Sequence, residues 1–137
     1  MRTALLVLAI LAAAAGALLA AGDAPAFRNL TAEQGRTLLA LARDYDPDAE
    51  QRPASAYAAC VARSDAAAAD PAARAQIEES FALIQGGVRR MGYQSYADVS
   101  DEHERLRLAK ILAERGWIKQ FRADVLACLA GAPQASR

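Results

Sequence analysis

An all-α fold is what this sequence predicts, and three observations predict it. Alanine is abundant and β-branched residues are few. No stretch alternates polar and apolar residues as a half-buried strand does. Helix start and stop residues recur at short intervals instead. The expected architecture is a compact bundle of about five short helices behind an N-terminal signal segment.

The first helix should start at Thr31, because Thr31-Ala32-Glu33-Gln34 has the spacing of a capping box. Leu38, Leu41, Ala42 and Tyr45 form its apolar stripe, and Pro47 should end it. Pro53 suits the first turn of a second helix, which carries Tyr57, Cys60, Val61 and Ser64 on one face. Asp70-Pro71 starts the third, with Asp70 as cap and Pro71 at the first helical position. Ile77, Phe81, Ile84, Val88 and Met91 recur along it at steps of three and four, which marks a core-facing stripe. Gly86-Gly87 should interrupt this helix, by a kink or a close helix crossing, since each glycine costs about 1 kcal/mol relative to alanine. Gly92 should stop it. Residues 93–99 read as an irregular link.

Ser100 is expected to cap the fourth helix, with Asp101, Glu102 and Glu104 in its electropositive first turn. Leu108, Ile111 and Leu112 should form the buried side, and Gly116 the end. The last helix presents Trp117, Phe121, Val125 and Cys128 on one face, with Leu129 beside them. Gly131-Ala132-Pro133 should close it.

The chain divides into a signal at 1–22, a helical domain at 23–131 and a loose tail at 132–137. Arg2 gives a charged start, residues 4–21 hold no charge, and Ala20 and Gly22 supply the small residues before a cut. The rival is a retained anchor, since about 20 apolar residues span a bilayer. Of the 16 basic residues Arg2 would leave with the signal, so 15 face 16 acidic ones. That balance argues against nucleic acid and against capture by anionic membranes. Cys60 and Cys128 have three open fates: pairing with each other, pairing with a partner chain, or burial as apolar residues.

The acidic run Asp44, Asp46, Asp48, Glu50 has the alternating carboxylates that open a calcium loop. Ala49 stands where such a loop needs glycine and Ser55 where it needs glutamate, so a solvated acidic turn is expected. His103, the only histidine, sits among charged residues, with no nucleophile or orienting partner near it in sequence. No nucleophile elbow, phosphate-binding glycine loop or zinc-protease pair occurs. Trp117 and Arg122 are residue types that anchor interfaces, although Trp117 and Phe121 also suit a core.

The order of short segments is similar to the gluconate 2-dehydrogenase subunit 3 family, the small subunits of flavin-dependent sugar and alcohol dehydrogenases. The likeness runs over residues 27–130. It comprises Leu30-Thr31-Ala32-Glu33-Gln34, Leu41-Ala42-Arg43-Asp44 before Pro47, Tyr57, Cys60-Val61, Asp65 and Asp70-Pro71. It continues with Tyr96-Ala97-Asp98-Val99-Ser100, Trp117-Ile118-Lys119-Gln120-Phe121-Arg122, Val125-Leu126 and Leu129. The resemblance implies a non-catalytic accessory subunit in the periplasm, with no cofactor or metal of its own. It would bind a large subunit of the glucose–methanol–choline type that carries FAD, with a cytochrome subunit as a further partner. It would meet membranes only through that complex or an uncleaved signal. Trp117, Ile118, Arg122, Tyr45 and Tyr96 are the residues expected to meet the partner. Two departures stand out. Asp46-Pro47-Asp48-Ala49 replaces the Tyr-Pro-His-Asp frequent in the family, and a lone Arg2 replaces the twin arginine of many members. The alternative is a free-standing helical envelope or stress protein. An enzyme built on His103 and the acidic turn ranks last.

Overall fold

A computed structural model describes residues 26–131. The signal expected at 1–22 and the tail expected at 132–137 lie outside the described residues. Five α-helices, two 3-10 turns and no strand make up the described chain. No described helix is long and apolar enough to cross a membrane.

Thr31 caps α1 (Ala32–Tyr45) with both bonds of the capping box: Thr31 Oγ1 accepts from Gln34 N–H at 3.1 Å, and Gln34 Oε1 from Thr31 N–H at 3.0 Å. A 3-10 turn (Ala49–Gln51) leads to α2 (Ala54–Ala67). Pro53 stands one residue before the helix, as its cap, rather than inside the first turn. Asp70 caps α3 (Pro71–Arg90), accepting from Ala73 N–H at 3.0 Å.

α3 runs unbroken through Gly86-Gly87, so the expected interruption does not occur. The close crossing does. A methyl group on Gly87 would stand 2.8 Å from Leu108 Cδ1, so the bare glycine lets the fourth helix approach. At its end Gly92, at φ +88°, donates to Arg89 O while Tyr93 N–H reaches Val88 O. Those two bonds form a Schellman cap.

The link after α3 contains a second 3-10 turn (Tyr96–Asp98). α4 (Glu102–Leu112) is capped by Asp101, whose Oδ1 accepts from Glu104 N–H at 3.1 Å, and not by Ser100. Ser100 Oγ instead lies 3.2 Å from the Tyr93 hydroxyl. The buried side of α4 is Leu108, Ala109 and Leu112, while Ile111 is 49 % exposed. Gly116 opens α5 (Gly116–Ala130) rather than ending α4. The core face of α5 is Ile118, Phe121, Val125 and Leu129, rotated from the expected stripe so that Trp117 and Cys128 lie at its edge.

α5 packs against α1, α2 and α3, and α1 also meets α4 and the second 3-10 turn. One core of apolar side chains from all five helices fills the centre. Cys60 on α2 and Cys128 on α5 are joined by a disulfide, with Cα atoms 5.7 Å apart. A cross-link over 68 residues restricts the unfolded chain strongly. Reduction, or Cys128→Ala with Cys60→Ala, should lower stability by about 2–4 kcal/mol, read as a smaller urea midpoint at constant helical circular dichroism.

Candidate functional site

Two carboxylates at the end of α1 leave the helix on opposite sides, because two residues turn the chain by about 200°. Asp46 has no exposed side-chain surface. It accepts from Arg52 Nε at 2.7 Å, the Tyr57 hydroxyl at 2.6 Å and Asp48 N–H at 3.0 Å. Arg52 also donates to Leu129 O at 2.7 Å, which ties the loop to the end of α5. Asp44 accepts from the Tyr96 hydroxyl at 2.6 Å and from Arg105 Nε and Nη2 at 2.9 and 3.2 Å. The acidic run is therefore not a solvated turn. Asp46, buried, and Asp44, partly buried, are anchors held by tyrosine and arginine, while Asp48 and Glu50 are exposed. Among the described residues no group of three or more His, Cys, Asp or Glu stands ready to hold a metal.

A further buried carboxylate, Asp65 on α2, receives the chain that enters α1. It accepts from the N–H groups of Arg28, Asn29 and Leu30 at 3.2, 2.7 and 2.9 Å.

The five expected partner residues do not form one surface. Ile118 and Tyr96 are both 0 % exposed, so neither can present a side chain to a partner. Ile118 lies at the centre of the core face of α5, and the Tyr96 ring is held under Asp44. Tyr45 is half-buried, with its hydroxyl on Ala109 O at 2.7 Å and Arg122 5.7 Å above its ring. Trp117 is half-buried against Phe121, with centroids 5.3 Å apart. Five residues separate Trp117 from Arg122, about 140° around the helix, so they flank the core face on different sides. Among the described residues the large exposed apolar side chains are Leu83 (42 %), Leu106 (39 %) and Ile111 (49 %). Leu108 packs against the bare Gly87, and Gly116 lies near Ser80, so α3 lies beside both α4 and the start of α5. His103 is exposed in the first turn of α4.

A concave feature lies elsewhere. Side chains link α1 to α3, Gln34 Nε2 to Glu78 at 3.3 Å and Gln85 Nε2 to Glu33 at 3.2 Å, and Arg74 Nη2 of α3 donates to Asn29 O in the segment before α1 at 2.8 Å. Between the helices and the 93–98 link is an open groove of about 530 Å³, lined by Glu33, Arg36, Gln85, Arg89, Tyr93, Gln94, Ser95 and Asp98. A hollow of about 350 Å³ that shares Glu33 and Gln85 extends it over Phe81. Gln85 Oε1 is buried with no hydrogen-bond donor among the described residues, an arrangement that costs about 1–3 kcal/mol. None of the groove residues was singled out as a site in the sequence, because polar residues spread over two helices and a link carry no local motif.

No protein-family model, no curated protein and no solved structure matches this chain.

The buried acids make stability depend on pH. Burial by itself raises the Asp46 and Asp65 carboxyls. Hydrogen bonds outweigh it and hold both below the usual range: Tyr57, Asp48 N–H and Arg52 at Asp46, and the N–H groups of Asn29, Leu30 and Arg28 at Asp65. Their contribution is complete above the unfolded value of about 4 and is lost as pH falls through the lower folded values. Urea midpoints should drop between about pH 5 and pH 2, and the drop should be shallower in Asp65→Asn. Burial, and at Tyr57 and Tyr96 the neighbouring aspartate, raises the hydroxyls of Tyr45, Tyr57 and Tyr96 above the tyrosine range. Stability should therefore hold up to about pH 10 and fall beyond it. Asp46→Ala leaves Arg52 buried without its partner and should cost about 3–5 kcal/mol in the same assay.

Proposed function

We propose that this chain is a non-catalytic accessory subunit of an exported flavin-dependent sugar or alcohol dehydrogenase, which binds the large FAD-carrying subunit and assists its maturation or export. The observation that carries this reading is how the residues of the resemblance meet. Leu30 and Asp65 are 35 positions apart, and Leu30 N–H donates to Asp65. Asp44 and Tyr96 are 52 positions apart, and the Tyr96 hydroxyl donates to Asp44. Segments of the resemblance that lie far apart in sequence thus meet in one frame, which is what supports the reading. The Cys60–Cys128 bond agrees with an oxidising compartment, and so with the periplasm.

The same bond favours a second reading, a free-standing periplasmic envelope or stress protein, because it closes within the chain and leaves no cysteine free among the described residues. On the accessory reading the partner covers exposed apolar side chains, and Leu83 on α3 and Ile111 on α4 offer them.

The tagged chain, purified from its own host, should retain a flavoprotein in fixed proportion, visible as flavin absorbance. Leu83→Asp with Ile111→Asp should release it without changing helical circular dichroism. A monomer that retains no flavoprotein overturns the accessory reading and leaves the second.

A further inference from the structure

The last turn of α5 is tied to α2 twice, once by sulfur and once by charge. Cys128 lies in that turn and is bonded to Cys60 on α2. The next residue, Leu129, offers its carbonyl to Arg52 Nη1 at 2.7 Å. It is one of the carbonyls that a helix end leaves without an intrahelical partner, and a cation there also meets the negative end of the helix. Arg52 Nε reaches Asp46 at 2.7 Å, and Asp46 accepts from the Tyr57 hydroxyl at 2.6 Å. Tyr57 stands on α2 three residues before Cys60, so the two are neighbours on one face of that helix. The path Tyr57–Asp46–Arg52–Leu129 therefore joins the same two helices as the disulfide and reaches each within a turn of its cysteine. The Arg52 and Asp46 side chains are 7 % and 0 % exposed, which protects the path from screening. α2 and α5 also pack directly against each other. None of these ties uses sulfur.

We propose that Cys60–Cys128 is a redox-reversible latch, a thiol–disulfide site that opens and closes in the folded chain because Asp46, Arg52 and Tyr57 keep its two helices together when the bond is broken. These three are positioning residues, acting through the helices that carry the sulfurs. Cys60 is buried and Cys128 half-buried, so a thiol in solvent approaches from the Cys128 side. The co-reactant is a dithiol and its disulfide. Opening the latch moves two electrons from the dithiol to the Cys60–Cys128 bond. The two thiol protons end on the cysteine sulfurs, and the dithiol leaves as its own disulfide. Closing is the reverse. The equilibrium depends on how closely the reduced chain keeps its two thiols. The inference does not rest on the accessory reading.

Dithiothreitol is the probe. The full-length chain is equilibrated at graded ratios of the reduced to the oxidised reagent, quenched with acid and alkylated, and the closed fraction is read by mass spectrometry. The wild type should open and close along one reversible curve, with helical circular dichroism unchanged at both ends. Arg52→Gln should make the bond about tenfold easier to open, and Tyr57→Phe, a milder change, about threefold. Asp101→Ala removes the α4 cap and should lower the urea midpoint, yet leave the dithiothreitol curve in place. A wild-type bond that stays closed at the most reducing ratio, or that opens only with loss of helical signal, overturns the latch. A curve that Arg52→Gln and Tyr57→Phe leave unmoved overturns the positioning role. So does one that Asp101→Ala moves as far as Arg52→Gln, because global stability then sets the equilibrium.

Discussion

The end of α1 is the point on which the rest of the fold depends. Asp46, buried, and Asp44, partly buried, carry two negative charges into a body rich in alanine and leucine. Such charges are tolerated only where donors surround them. Asp44 requires Tyr96 and Arg105, which brings in the second 3-10 turn and α4. Asp46 requires Tyr57 and Arg52, which brings in α2 and, through Leu129 O, the end of α5. Two neighbouring side chains therefore orient most of the bundle. The net stabilisation from each pair is small, because desolvation offsets attraction. Their effect is on which packing is allowed, since any register that separates aspartate from arginine strands a buried charge.

Asp65 does the same work at the other end of α1. It gathers three consecutive N–H groups of the entering chain and leaves Thr31 in position to cap the helix. α1 is thus held at both ends by carboxylates, one set reaching out from it and one reaching in. The disulfide adds a covalent tie between α2 and α5. α3 is held differently, through apolar packing, the close crossing at Gly87 and a few side-chain bridges to α1. That looser attachment leaves the polar groove between α1 and α3. Among the described residues the buried side-chain oxygen without a donor, Gln85 Oε1, belongs to a residue that lines this groove.

The residues expected at an interface show why residue type alone is a weak guide. Ile118 and Trp117 are adjacent, yet one is at the core and the other at its edge, because a 100° step separates neighbours on a helix. Tyr96 belongs to a sequence segment that drew attention through its family likeness, and the same segment proves to be structural. A likeness built from buried hydrogen-bonding residues speaks first about the frame. Partner recognition must then fall to exposed side chains such as Leu83 and Ile111.

The sequence by itself determined the fold class, most helix limits and most of the core. Capping boxes, proline at helix starts and apolar periodicity act within a turn or two, so they can be read without knowing the neighbours. It missed the Asp101 cap by one residue, because Ser100 and Asp101 are both competent and only the Tyr93 hydroxyl beside Ser100 separates them. It left the fate of the cysteines open, since pairing depends on α2 lying against α5. Only the tertiary structure decided that an acidic run holds a pair of anchors, that Gly87 receives Leu108 and that α1 and α3 leave a groove. Each of these depends on side chains that meet across many residues, and the charge of an aspartate says nothing about which arginine will come to it.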